Sequence, residues 1–190
     1  MLEGHGREPL WQECNVSRTV GWFTSQFPVV LPRGGQDVEQ TILEVKESLR
    51  KIPAKGMGYG LLRYLCQDGD QYHIVPQLLF NYLGEFKSSN HQEGVSIATE
   101  AIGPVQDERE ARWFELEMTG IIRDDGLEME LIYDPVKYSP KEVTGLMDDY
   151  RTALIETITH CTQQHQTRPT PSDFSYAELT SEELEQIFKS

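Results

Sequence analysis

Basic residues are scarce in this chain: 17 lysines and arginines stand against 31 acidic residues, a formal net charge of −14 over 190 residues. That balance repels a phosphate backbone, and no basic stripe reverses it locally, so nucleic acid is not an expected partner. Long apolar runs are missing too. No stretch could span a bilayer, and the N-terminus lacks the basic-then-apolar order of a secretory signal, so no membrane partner is expected and the cytoplasm is the expected compartment. Cysteine is sparse: Cys14, Cys66 and Cys161 are odd in number and scattered, which suits a reducing compartment better than a disulfide framework. What is present, 38% hydrophobic and 25% charged residues, suffices for one globular domain, or a large piece of one, with a real core.

Periodicity alternates between element types. Phe27, Val29 and Leu31, interrupted by Pro28 and closed by Pro32, read as a short strand near a sheet edge or end, because proline cannot donate to a ladder. Asp37 with Gln40 three residues later resembles a capping box. Val38, Ile42, Val45, Leu49 and Ile52 then recur at helical spacing until Pro53. Residues 74–82 are apolar enough for a buried strand with Pro76 at its start or at an edge. Residues 113–122 and 127–133 are predicted to pair as a hairpin around Arg123, Asp124, Asp125 and Gly126. In it Phe114, Leu116, Met118, Leu127, Met129 and Leu131 share a buried face, while Glu115, Glu117, Glu128 and Glu130 face water and serve solubility rather than a site. Ser139, Pro140 and Glu142 start a second helix, whose stripe of Val143, Leu146, Met147, Tyr150, Leu154 and Ile158 runs to about His160. Helices among four or more strands predict an α/β or α+β fold, a mixed sheet layered with helices.

Beyond Cys161 the composition turns to Gln163, Gln164, Gln166, Thr167, Pro169, Thr170, Pro171 and Ser172, which is linker chemistry. The expected folded body is therefore residues 1–163, with a linker at 164–190. A short acidic helix inside that linker, capped by Thr180 and Glu183 and carrying Leu184, Ile187 and Phe188, would need something to dock on.

Several candidate sites dissolve when taken singly. Gly56, Gly58 and Gly60 lack the strand and spacing of a dinucleotide fingerprint and read as turn glycines. His160, Cys161 and His165 straddle a helix terminus and make a poor zinc set, so no metal is expected. Ser17 and Ser25 have no nucleophile elbow, and Cys14 has no activating neighbour in sequence. Asn81 and Tyr82 interrupt an apolar strand and need hydrogen-bond partners if they point inward. Taken alone they, like Glu3, read more readily as structural polar groups than as catalytic ones.

Four segments in order change that balance. EGHGRE at 3–8, RTVGWFTSQFPV at 18–29, PAKGMGYG at 53–60 and FNYLG at 80–84 together resemble the last four core motifs of epimerization domains from nonribosomal peptide synthetases, with Phe27 where that family often has tyrosine. The resemblance is anchored in residues 3–84. From there to about residue 163 the order of elements is compatible, without motifs of comparable strength. It implies a fold similar to condensation domains and chloramphenicol acetyltransferase, two related lobes in a V around a tunnel, of which this chain resembles the C-terminal lobe. The family's double-histidine motif belongs to the other lobe, and no His-His pair occurs in these 190 residues. An excised or truncated lobe, with Met1 added in front of it, is the expectation.

The implied activity is inversion of a carrier-bound L-aminoacyl or peptidyl thioester at Cα, which calls for two acid/base groups on opposite sides of the substrate. By resemblance Glu3 supplies one and a histidine of the absent N-terminal lobe the other, while Asn81 and Tyr82 contribute to the pocket or to enolate stabilisation. His5 and Arg7 support Glu3: an extended chain over residues 3–8 would put Glu3, His5 and Arg7 on one face and Glu8 on the other. Trp22 and Phe23 are expected to pack under the tunnel floor, and Gly58 and Tyr59 to shape a turn near the lobe junction. The implied partners are the N-terminal lobe, a peptidyl carrier protein and a downstream synthetase module docked through residues 169–190. The carrier brings the phosphopantetheine arm, so the chain itself would bind no cofactor. Two further readings stay open, a noncatalytic docking half-domain and a condensation-type acyltransferase lobe, the latter disfavoured by EGHGRE.

Overall fold

The computed structural model describes residues 1–7, 14–35, 37–86, 103, 111–123, 126–164 and 168–174. Among the described residues five strands and three α-helices follow one another as β1 (Leu2–His5), β2 (Thr24–Phe27), α1 (Val38–Arg50), α2 (Met57–Leu65), β3 (Leu78–Phe86), β4 (Leu116–Arg123), β5 (Gly126–Tyr133) and α3 (Pro140–Gln163). They form one mixed sheet in the order β2-β1-β3-β4-β5, layered with helices. β1 runs antiparallel to β2 and parallel to β3; β3 and β4 are parallel, and β4 and β5 form the expected antiparallel hairpin. The hairpin's turn residues Asp124 and Asp125, like Glu8 and the short helix expected at 180–188, lie outside the described residues.

Local chemistry explains the helices. Gln40 N–H donates to Asp37 Oδ1 at 2.8 Å, starting α1 one residue after the cap. Only half of a capping box forms, because the Gln40 amide turns forward to Glu44 Oε1 at 2.8 Å. α3 has the full box: Glu142 N–H donates to Ser139 Oγ, and Ser139 N–H donates to Glu142 Oε2 at 2.8 Å. Hydrogen bonds from the Ser139 hydroxyl and backbone hold the Glu142 carboxyl below the usual carboxylate range.

Three expectations need correction. The strand around Phe27 stops there, since Pro28 removes the next donor, and Val30 and Leu31 lie exposed beyond the ladder; β2 is nonetheless an edge strand. The strand expected at 74–82 starts only at Leu78, past Pro76, and continues to Phe86. PAKGMGYG is not a glycine turn throughout. Ala54, Lys55 and Gly56 take positive φ of 45°, 50° and 80°, reversing the chain, and Gly58, Tyr59 and Gly60 then belong to α2. Gly56 is the position that needs glycine, because a Cβ there would lie 2.1 Å from the Phe27 ring. This contact seats the start of α2 on the apolar face of β2.

Residues 168–174, read from composition as linker, return to α1. Arg168 Nη1 meets Glu39 Oε1 at 2.7 Å, Lys46 Nζ meets Asp173 Oδ2 at 2.5 Å, and Arg50 also pairs with Asp173. Ser172 Oγ donates to Glu47 Oε1 at 2.5 Å, and Thr170 is buried where its N–H donates to Asp173 Oδ2 at 2.8 Å. The Lys46 ammonium, the Thr170 N–H and Arg50 hold the Asp173 carboxyl far below the usual carboxylate range.

Two outcomes follow. In urea denaturation, Gly56→Ala should cost at least about 2 kcal/mol through the ring clash and left-handed backbone. Gly58→Ala, in open helical space, should gain about 0.5–1 kcal/mol. Asp173, depressed in the folded state, stabilises the docked segment above its unfolded pKa of about 3.9 and loses that contribution as pH falls below it. Amide protection at Thr170, Ser172, Asp173 and Phe174 should therefore decline between about pH 5 and pH 2, and Asp173→Asn should shrink that decline, leaving the part carried by Glu47 and Glu39, whose carboxylates also hold this segment. An unchanged profile in the variant would show that Asp173 does not supply the pH dependence of the clasp.

Candidate functional site

Alternation along the strands gives the sheet two chemically distinct faces. Register pairs Leu2 with Phe27 and Phe80, Phe80 with Met118, Met118 with Leu131, and Gly120 with Met129. Those side chains share the apolar face, where Phe27 and Met118 are buried. The other face carries Glu3, His5, Thr24, Gln26, Asn81, Thr119 and Glu130. Glu3 is half-buried in the middle of this polar face, between Gln26 on β2 and Asn81 on β3.

His5 ties the polar face together. Its Nε2 lies 2.7 Å from Asn81 Oδ1, and Thr24 Oγ1 lies 3.4 Å from its Nδ1. Asn81 thus shares a face with Glu3 and a hydrogen bond with His5. Tyr82 does not: it pairs with Gly120 on the apolar face, and a Cβ on Gly120 would lie 3.3 Å from the Tyr82 ring. Adjacent residues of a strand point to opposite sides, so Asn81 and Tyr82 were never free to share one pocket wall.

The supporting residues divide as well. β1 ends at His5, and Arg7 turns aside, its Nη2 donating to the Thr19 carbonyl at 3.2 Å and its guanidinium stacking 4.8 Å from the Phe23 ring centroid. Arg7 therefore buttresses residues 18–23 instead of continuing the Glu3 face. Trp22 is 97% exposed rather than packed beneath a floor, because the ladder begins only at Thr24. Gly58 and Tyr59 sit in α2, with the Tyr59 hydroxyl donating to the Tyr72 carbonyl at 3.0 Å. Thr24 was overlooked in the sequence although it lies within the 18–29 motif; the alternation of Thr24 and Gln26 with Ser25 and Phe27 was the available signal. Among the described residues no three His, Cys, Asp or Glu side chains converge to hold a metal ion, and no helix is long and apolar enough to cross a membrane. His165 lies outside the described residues.

The condensation-domain family model matches residues 1–180. This chain belongs to the condensation-domain family. It is 39% identical over 193 residues to tyrocidine synthase 2 of Brevibacillus parabrevis, an alignment spanning 99% of this chain and 5% of that protein. To gramicidin S synthase 1 of Brevibacillus brevis it is 37% identical over 201 residues, spanning 98% of this chain and 18% of the relative. The crystal structure of the epimerization domain from the third module of tyrocidine synthetase B superposes with a TM-score of 0.75 at 38% identity, covering 86% of this chain and 37% of that one. This condensation-family chain therefore spans a small part of each relative, and its fold is close to that of an epimerization domain. Glu3, His5, Thr24, Gln26 and Asn81 all project from one side of its sheet. Their carboxylate, imidazole, hydroxyl and amide groups thus face one direction only.

Proposed function

We propose that this chain is the C-terminal lobe of a peptide-synthetase epimerization domain that inverts a carrier-bound aminoacyl or peptidyl thioester. The observation that carries this reading is Glu3, a half-buried carboxylate on an interior strand of the sheet with Asn81 beside it. A carboxylate placed over the Cα–H bond takes the proton, and the electron pair moves onto the thioester carbonyl as an enolate. A proton returned to the opposite face of Cα then gives the D form. The enolate oxygen gains from a nearby preorganised donor, a role open to the Asn81 amide. Tyr82, on the apolar face, supports packing over Gly120 in this reading.

The second acid/base group must approach from the other side, and a histidine of an N-terminal lobe supplies it here. Exposed apolar surface supports such a partner: Trp113 is 87% and Val136 92% exposed, and among the described hydrophobic residues only Phe27, Met118 and Val143 are buried. The thioester arrives on the phosphopantetheine arm of a peptidyl carrier protein, so the chain itself needs no dissociable cofactor. A downstream module docked through the part of residues 169–190 that follows the stretch clasped on α1 completes the proposed assembly.

The experiment combines this chain with a separately produced N-terminal lobe and a carrier-bound aminoacyl thioester in deuterated water. Cα deuterium should appear only with both lobes, and Glu3→Gln should slow it by about 10²–10⁴-fold. Exchange indifferent to Glu3→Gln would overturn the assignment. Amide formation with a second carrier-bound acceptor, without exchange, would favour condensation; no chemistry in any combination would favour a docking role. The chain alone should self-associate or bind an apolar dye, and both should diminish when the N-terminal lobe is added.

A further inference from the structure

β1 is held unevenly. Four residue pairs register it against β2, yet a single pair, Leu2 with Phe80, registers it against β3, where β3 and β4 share seven. Main-chain pairing with β3 thus stops short of the end that carries His5, and Gly4 and Gly6 leave that end with little intrinsic stiffness. At this point the side-chain bond between His5 and Asn81 takes over.

The chemistry of that bond assigns the imidazole's protons. Asn81 Oδ1 is a carbonyl oxygen and can only accept, so the 2.7 Å contact is a hydrogen bond only when His5 Nε2 carries the hydrogen. A neutral ring then has a lone pair on Nδ1, which is turned to the Thr24 hydroxyl at 3.4 Å. One imidazole therefore spans β2, β1 and β3, with each nitrogen committed to a neighbouring strand.

We infer that His5 is a positioning residue, held as the Nε2–H tautomer between Asn81 and Thr24 so that it braces the β1 backbone carrying Glu3, and that it does not itself shuttle protons. Its place on the same face as Glu3 agrees with this, since a group on that face cannot reach the opposite side of a substrate lying there. The catalytic consequence rests on the function proposed above; the tautomer and the brace do not.

The test is nitrogen-15 NMR of the histidine rings in the 190-residue chain at mildly alkaline pH, where imidazole is neutral. The His5 signals are identified by their loss in His5→Gln. A protonated Nε2 whose hydrogen exchanges slowly with water and couples to the Asn81 carbonyl is the expected result. Asn81→Asp, which keeps an acceptor oxygen, should preserve that protection, whereas Asn81→Leu should abolish it. A protonated Nδ1, or an Nε2 proton exchanging in the wild-type chain as fast as in a free imidazole, would overturn the inference without touching the assignment of Glu3. In the two-lobe exchange assay, His5→Ala should slow turnover by about 10²-fold with KM little changed, as misplacement of a reacting group does, and His5→Gln, whose side-chain amide can still donate to Asn81 Oδ1, should recover part of the rate. Bracing seen by NMR in a chain that never supports exchange, even with wild-type Glu3, would sink the epimerization reading and leave the brace standing.

Discussion

A strand of four residues, Leu2–His5, lies between β2 and β3 in a five-stranded sheet, and everything proposed for this protein depends on its being held there. Strand geometry allows each of its residues one of two directions. Leu2 and Gly4 go to the apolar face with Phe27 and Phe80, and Glu3 and His5 go to the polar one. A slip of one residue would exchange the two sets, turning Glu3 to the apolar face and Leu2 to the polar one. The register resists that because burial of Phe27 and Met118 anchors the apolar side. Gly4 adds to the fit: a Cβ there would lie 3.1 Å from Ser25 Oγ and 3.3 Å from the Phe27 ring, so any larger residue would have to push those side chains back.

The same anchoring organises the rest of the helical layer. Phe27 is packed so tightly against Gly56 that the reversal between α1 and α2 is keyed to the edge of the sheet. α1 packs against α3 on one flank and receives residues 168–174 on its charged surface. In a chain of net charge −14, cations are a limited resource, and several of them are engaged internally. Lys46 and Arg50 hold Asp173, Arg168 meets Glu39, Lys137 meets Glu115, and Arg63 meets Asp70. Docking of a second acidic protein, as the proposed carrier would be, cannot draw on bulk attraction and must use local complementarity.

Much of this was legible in the sequence, and where it failed the failures share a cause. Asp37 and Ser139 announce their helices through side chains that cap the next turn, and both helices begin where those residues predict. The hairpin was equally plain, because Leu116, Met118, Leu127 and Leu131 alternate with glutamates at a period only a half-wet strand requires. PAKGMGYG misled because its glycines look alike in a string of letters. Only the Phe27 ring distinguishes Gly56, which must stay bare, from Gly58 and Gly60, which have open space in a helix. Composition likewise could not show that the Pro- and Thr-rich stretch at 168–174 folds back, since its partners lie more than a hundred residues away on α1.

The candidate site divides along the same line. The resemblance of four ordered segments singled out Glu3, Asn81 and Tyr82, and the sequence placed Asn81 and Tyr82 on an extended segment, because motif order and residue spacing are properties of the chain itself. Which of them stand together was decided by tertiary structure. The parallel register of β1 with β3 puts Asn81 beside Glu3 and leaves room for His5 to reach it, while the pairing of Tyr82 with Gly120 sends the phenol to the opposite face. Those relations depend on contacts between segments far apart in the chain, joined by backbone hydrogen bonds that no local pattern encodes.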